Sequence, residues 1–543
     1  MKYLVVAVLL LFTASDAAAQ ATAVMSLRTK PEATNFEQTS RYEDVVAFLN
    51  ELAKAAPKTI KLKTFGTTTE NRALPLVVVG ASDPTPDTVR RTGKLRVYIQ
   101  GNIHGGEVEG KESAQMLLRD LAAGKHQDWL KNMVLLVAPI YNADGNERVS
   151  ITNRGRQHGP IGGQGQRPNA QGLDLNRDHM KLDSSEARAF VKLINDYDPH
   201  VSMDLHTTNG TRHAYYLTYS PPLNPTTDPT ITSLLRNTWF PWVTQSIRTK
   251  YGWDYYYYGN VDSGRGAAGE RAWRSFDHRP RFNNNYIGLR NRFALLSEAF
   301  AYATFKDRIT ATNRFVEENL DFVAKNASRI RRIVTEADRR NVIGQRLGLR
   351  AQMVRGPELI EVLMGEVTQE KHPVDGHLMD LRKDVKIPEK MADYGTFEAT
   401  ETERVPAAYL IPPGHNDAVE LLAAHGILVE PLRNERLSSD RQGRPQIGRM
   451  GASMDVEEFA IESNIQAANA FQNHRERALT GKWVPSKGPV PEGTVIVPMN
   501  QPLARLAFYL LEPRSDDGLV DWNFLDAALG PDVKVYPILR SRN

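Results

Sequence analysis

The residues best able to do chemistry in this 543-residue chain are histidines and carboxylates, because it contains no cysteine. His104 and Glu107 form a His-x-x-Glu pair within Gly101-Asn-Ile-His-Gly-Gly-Glu107. His206 ends the run Val201-Ser-Met-Asp-Leu-His206. Two histidines and one carboxylate are a common catalytic zinc set, with the fourth position left open for water. The four-residue spacing alone is a weak signal, since a hydrogen-bonded histidine beside a solvated glutamate looks the same. What raises it is where the pieces fall.

Two further groups extend the set. Asn176 and Arg177, in Gly172-Leu-Asp-Leu-Asn-Arg-Asp178, suit recognition of a carboxylate: the guanidinium offers a bidentate fork and the amide one more donor. Glu298 ends the apolar run Phe293-Ala-Leu-Leu-Ser-Glu298. A carboxylate at the end of a buried strand is costly unless it has a purpose, and desolvation there would tune it as a general base.

The elements that must position these groups follow from hydrophobic periodicity. Residues 76–79, 95–100, 133–139, 201–205 and 293–296 read as buried strands. Helical spacing appears from 42 onward, over 109–121, from a capping box at Asp183-Ser-Ser-Glu186 through 197, and over 309–334. Strands alternating with helices predict an α/β fold: a mixed, mostly parallel sheet with helices on both faces. His104 and Glu107 then lie just past one strand's C-terminal end, and His206 and Glu298 end two others. That is where open α/β sheets bind ligands.

Past about residue 340 the texture changes to short apolar runs broken by proline and glycine, which predicts a strand-rich α+β domain. The length also favours two domains. The expected division is a signal peptide at 1–20, a catalytic domain at 40–340 and a C-terminal accessory domain at 345–543.

The ordered set resembles the zinc metallocarboxypeptidases of the carboxypeptidase A type over roughly residues 40–335. The likeness runs through His-x-x-Glu, Asn-Ala-Asp-Gly at 142–145, Asp-Leu-Asn-Arg, Asp-Leu-His and the strand-terminal Glu298. It implies a carboxypeptidase-like fold and hydrolysis of a peptide's C-terminal bond. One zinc would be held by His104, Glu107 and His206, and Asp174 would orient the first histidine. Asn176 and Arg177 would hold the terminal carboxylate, and Glu298 would be the base that activates zinc-bound water. The resemblance also calls for an arginine that polarises the scissile carbonyl, assigned to Arg154 over Arg148, Arg156 and Arg167. A mobile tyrosine is assigned to Tyr286, although residues 255–258 and 264–269 depart from the family pattern. Rival readings are a cell-wall peptide amidase or carboxypeptidase, an N-acyl amino acid deacylase, and a catalytically dead binding module. Retention of both Glu107 and Glu298 argues against the last.

The rest of the chain narrows the setting. A net charge of +4 over this length gives no reason to expect nucleic acid or an anionic membrane as partner. Lys2, the short apolar run at 3–12, and Ala17 and Ala19 read as a cleaved secretory signal, which predicts a periplasmic or extracellular protein. The expected partner is a peptide with a free C-terminal carboxylate. His415 and His425 read as structural, and the glycine-rich 159–165 lacks the Gly-Lys-Ser/Thr ending of a phosphate loop.

Overall fold

The computed structural model describes residues 20–208, 210–261, 270–432, 455–486 and 488–542. The expected leader lies outside the described residues except for Gln20, as do positions 264–269.

Among the described residues, ten strands lie in the first 300 positions. They are β1 (Ile60–Thr67), β2 (Ala73–Val79), β3 (Leu95–Gly101), β4 (Met133–Ala138), β5 (Val201–Thr208), β6 (Leu217–Ser220), β7 (Tyr255–Tyr257), β8 (Asn260–Val261), β9 (Ala272–Arg274) and β10 (Phe293–Phe300). Eight of them form one sheet in the order β1-β2-β4-β3-β5-β10-β6-β7. The central strands β4, β3, β5 and β10 run parallel. The pairs β1/β2, β2/β4 and β10/β6 are antiparallel, so the sheet is mixed as expected. Every residue of β4 and β5 is buried; β4 reads as a continuous apolar run, as buried parallel strands do, whereas β5 alternates its apolar residues with Ser202, Asp204 and His206.

The flanking helices are α1 (Tyr42–Ala55), α2 (Glu109–Ala122), α3 (Ser185–Tyr197) and α4 (Phe305–Arg339). Helices α2 and α4 pack on each other and against β3 and β10, while α3 packs on β1. The capping box expected at Asp183 does not form. Ser184 is the N-cap, its hydroxyl accepting from the Ala187 N–H and donating to Asp178 at 2.6 Å, and alanine stands where the box needs a glutamate or glutamine.

From Arg346 onward the described regular elements are mostly strands, including a six-stranded sheet built around Ala408–Ile411, Val456–Gln466 and Val495–Pro498. The two parts interlock: β9 pairs in parallel with Ile387–Tyr394, through Ala272 and Ala392. Buried apolar side chains from both, such as Tyr286 and Leu422, belong to one contiguous cluster. Among the described residues no helix is long and apolar enough to cross a membrane.

Candidate metal centre and cleft

Strand β3 hands over to the His-x-x-Glu loop at Asn102, which sits at φ +65°, a left-handed position that asparagine tolerates better than most residues. Its side-chain amide donates to the carbonyls of His104, Gly105 and Glu107 at 3.1–3.3 Å, fixing the loop from inside. Gly105 has no substitute here, since a Cβ would lie 2.4 Å from the Gly145 carbonyl carbon. The 142–145 motif thus braces this loop. Asn142 donates to the Ile103 carbonyl at 3.2 Å and accepts from Gly145 N–H at 2.9 Å.

The three expected ligands come together: one atom each of His104, Glu107 and His206 lies within 4.8 Å of the others, and all three side chains are buried. Both imidazoles are held from behind. His104 Nε2 lies 3.1 Å from Asp174 Oδ1 and His206 Nε2 lies 2.9 Å from Asp204 Oδ2. Carboxylates only accept, so both Nε2 atoms carry the proton and both Nδ1 atoms present lone pairs. Those lone pairs face Glu107, His104 Nδ1 at 3.0 Å from Oε1 and His206 Nδ1 at 2.9 Å from Oε2. His104 Nδ1 is buried without a hydrogen bond. Two lone pairs and a carboxylate converging in a buried site are stable together only around a cation. This donor set fits zinc, which takes imidazole nitrogen and carboxylate oxygen. Without a metal a proton is drawn to the same place: burial lowers the proton affinity of His206, but Asp204 and Glu107 outweigh it and raise it well above the usual range, and a metal ion would take the place of that proton on Nδ1.

Arginines frame the centre. Arg154 sits at φ +56°, its Nη1 donating to Glu107 Oε1 at 3.0 Å and its Nη2 to the Thr207 carbonyl at 2.6 Å. Gln157 Oε1 holds its Nε at 2.8 Å. Arg167 lines the same cleft and pairs with Asp174 at 2.8 Å. Arg148 and Arg156 instead pair with Glu70 and Asp380.

Asp174 is a junction. One oxygen accepts from His104 and from the Asn176 N–H, while the other takes Arg167. Asn176 and Arg177 line the cleft. The Asn283 N–H donates to Asn176 Oδ1 at 2.8 Å, so the amide nitrogen of Asn176 is left to face a ligand. The Arg177 guanidinium lies 3.8 Å over the Phe282 ring.

Glu298 stands opposite. Strand register sets it beside His206, and its Oε2 is buried without a partner. Burial pushes its carboxyl up to about 8, with His206 pulling down and Glu107 pushing up.

The structure does not bring Tyr286 to this cleft. It lies in the helix Asn283–Leu289, whose residues are all buried, and its hydroxyl meets His425 Nδ1 at 2.8 Å. His425 Nε2 reaches the Met180 carbonyl, consistent with a structural histidine. The tyrosine that lines the cleft is Tyr258, just after β7, its hydroxyl accepting from Asn260 Nδ2 at 3.0 Å. Sequence reading missed it, along with Asp204 and Gln157. The Asp two residues before His206 on the same strand was a visible signal for Asp204.

A second cluster of ligand-type residues, His372, Asp375 and His377, lies on a hairpin turn. Its lone pair is already used, since the Val374 N–H donates to His372 Nδ1 at 3.2 Å. It is therefore a poorer cation site than the cleft.

Residues 45–221 match the family model described as zinc carboxypeptidase. The chain is 25% identical over 525 residues to Carboxypeptidase 2 of Trichophyton tonsurans, spanning 92% of this chain and 86% of that protein. It is 24% identical over 530 residues to Carboxypeptidase 2 of Trichophyton rubrum, with the same coverage. Among solved structures it is similar to a metallo-carboxypeptidase from Burkholderia cenocepacia, 17% identical over 52% of this chain and 69% of that one, at a TM-score of 0.39. Carboxypeptidase A from Helicoverpa armigera is likewise 17% identical, over 55% and 75%, at a TM-score of 0.39.

Proposed function

The chain carries a zinc carboxypeptidase domain and is a metallocarboxypeptidase, a zinc-dependent hydrolase, and from that premise we propose that it removes the C-terminal residue of peptides with Glu298 as general base. The observation that carries this reading is one cleft lined by three kinds of group. A His-Glu-His set fits one zinc, Asn176 and Arg177 suit a carboxylate, and Glu298 has a buried oxygen with no protein partner.

The substrate's terminal carboxylate would take the Arg177 fork and the Asn176 amide, which places the last peptide bond beside Glu298. When bound by His104, Glu107 and His206, zinc would act as a Lewis acid and lower the pKa of water toward ~7. Glu298 takes the proton of the attacking water and then passes it to the leaving amine. Burial raises the proton affinity of Glu298, which favours giving the proton to the amine, and a bound cation would oppose that rise and favour the ionised base. Arg154, held by Gln157 beside Glu107, would stabilise the negative charge that develops on the carbonyl oxygen. Asp174 and Asp204 fix the imidazoles.

The same reading includes a catalytic unit at about 40–340, an accessory unit at 345–543, and export through the apolar leader with its small residues at 17 and 19. The test is Glu298→Gln with product analysis by mass spectrometry on a mixed peptide library. Wild type should release single C-terminal residues; the variant should retain zinc and lose hydrolysis by at least about 10²-fold. A variant that still turns over at the wild-type rate rules out Glu298 as the base.

A further inference from the structure

The C-terminal part of the chain touches the loop that carries Asn176 and Arg177 through the tip of a hairpin. Strands Val456–Gln466 and Arg477–Pro485 pair as a hairpin, and the pairing continues from Ala467 and Glu476 to the tip. There the backbones of Phe471 and His474 bond each other both ways, at 2.8 and 2.9 Å. The two residues between them, Gln472 and Asn473, lie at φ +49° and +67°. Two consecutive left-handed residues make the tight hairpin turn that glycine and asparagine favour. A glutamine at the first of these positions is conformationally costly, so its side chain needs a compensating contact.

That contact is made. Gln472 Oε1 accepts the Asp174 backbone N–H at 2.8 Å, across 298 residues of sequence. Asp174 is the residue whose side chain caps the turn Leu175–Arg177. His474 Nε2 meets Asp183 at 2.9 Å on the far side of the same segment. A second strut runs in parallel. Arg281, buried among Glu476, Asp517 and Asp521 of the C-terminal part, directly precedes Phe282 and Asn283. Phe282 lies under the Arg177 guanidinium, and the Asn283 N–H donates to Asn176 Oδ1.

We infer that the C-terminal part is a clamp on the carboxylate anchor, with Gln472 the positioning residue that fixes the loop carrying Asn176 and Arg177. Its effect falls on substrate binding rather than on the bond-breaking step, because Gln472 touches the anchor loop's backbone and none of the groups around the scissile bond. The inference rests on the reading of Arg177 as the anchor.

The test uses the full-length, zinc-loaded protein with Gln472→Met, which keeps length and bulk but removes the acceptor, and Gln472→Ala. The expected result is a KM for free C-terminal peptides raised roughly three- to tenfold, the effect of one lost hydrogen bond. The kcat should stay within about twofold, with zinc content and Tm unchanged. Backbone hydrogen exchange over 172–178 should quicken. Unchanged exchange there together with an unchanged KM overturns the clamp, and so does loss of zinc, which would locate the effect at His104. Arg177→Ala, assayed alongside, separates the two readings. If it leaves KM unaltered the anchor assignment falls, while the exchange measurement still decides whether Gln472 holds the loop.

Discussion

Arg308 and Glu109 pair in the interior beneath the cleft, with neither side chain exposed to solvent. Arg308 also donates to the carbonyls of Ala301, Ala303, His158 and Gly159. Glu109 also accepts from Thr207 and Gln157. Every polar atom of the pair is thus used. Removing one partner leaves a buried charge alone, a change that typically costs about 3–5 kcal/mol. Glu109→Ala should therefore lower the Tm by several degrees, and Glu109→Ala with Arg308→Met should recover much of the loss. Thermal melts of the three proteins check this; equal melting of wild type and the single variant would show that the charge has found water.

The zinc set makes a prediction that needs no turnover. Asp174 and Asp204 do not reach the ligand position, but each fixes an imidazole so that Nδ1 points inward. Loss of such a partner usually weakens metal binding by about 10–100-fold. Asp204→Ala should do so while leaving His104, Glu107 and His206 in place. Zinc titration against a competing chelator measures it, and an affinity equal to wild type would mean that His206 is oriented by packing alone.

Arg154 invites a double test. Its Nε is held by Gln157, which in turn donates to Glu109 at 3.3 Å. If Arg154 stabilises the oxyanion, Arg154→Ala should cost about 10²–10³ in kcat. Gln157→Leu should cost less, roughly tenfold, by loosening the same guanidinium. The two losses should not add, because residues in one network couple. Steady-state kinetics on the two single variants and the double decide it; fully additive losses would separate Gln157 from Arg154.

The fold and much of this site were legible in the sequence for one physical reason. Buried strands are rich in apolar residues, and a titratable residue among them stands out, as Glu298 does after Phe293–Leu296 and His206 does beside Met203 and Leu205. The mixed sheet and its flanking helices followed from the same pattern. Tyr286 shows where this fails. It shares its helix with three asparagines that read as surface residues, yet all of them are buried, and its hydroxyl turns to His425. Tyr258 reaches the cleft only because β7 and β6 stack beyond β10, an order set by pairings with no local signature. The bond from Gln472 to Asp174 is invisible for the same reason.

The C-terminal part carries a pH-dependent stability of its own. Glu512 is buried, its carboxylate oxygens accepting from the Tyr409 hydroxyl and from Trp483 Nε1 at 3.2 Å. Burial pushes its carboxyl up to about 7; Tyr409, Arg540 at 3.7 Å and Trp483 pull it down, and Glu403 pushes it up. In the unfolded chain it titrates near 4.3. Between those values the folded state holds a proton that the unfolded state has released. Stability from this group is therefore complete below about pH 4.3 and is lost as pH rises through about 7, after which the native state carries a buried charge. The full swing is about 4 kcal/mol at most, at ~1.4 kcal/mol per pH unit. Glu512→Gln keeps the shape and the acceptor oxygen without the charge, so it should melt with wild type at pH 5 and above it at pH 8. Asp521, also pushed up to about 8, acts with the same sign in both proteins and cancels in the difference. Thermal melts of the pair from pH 5 to 8 measure that difference; a gap that does not widen with pH would show that Glu512 is already ionised, paired with Arg540, at the lower end.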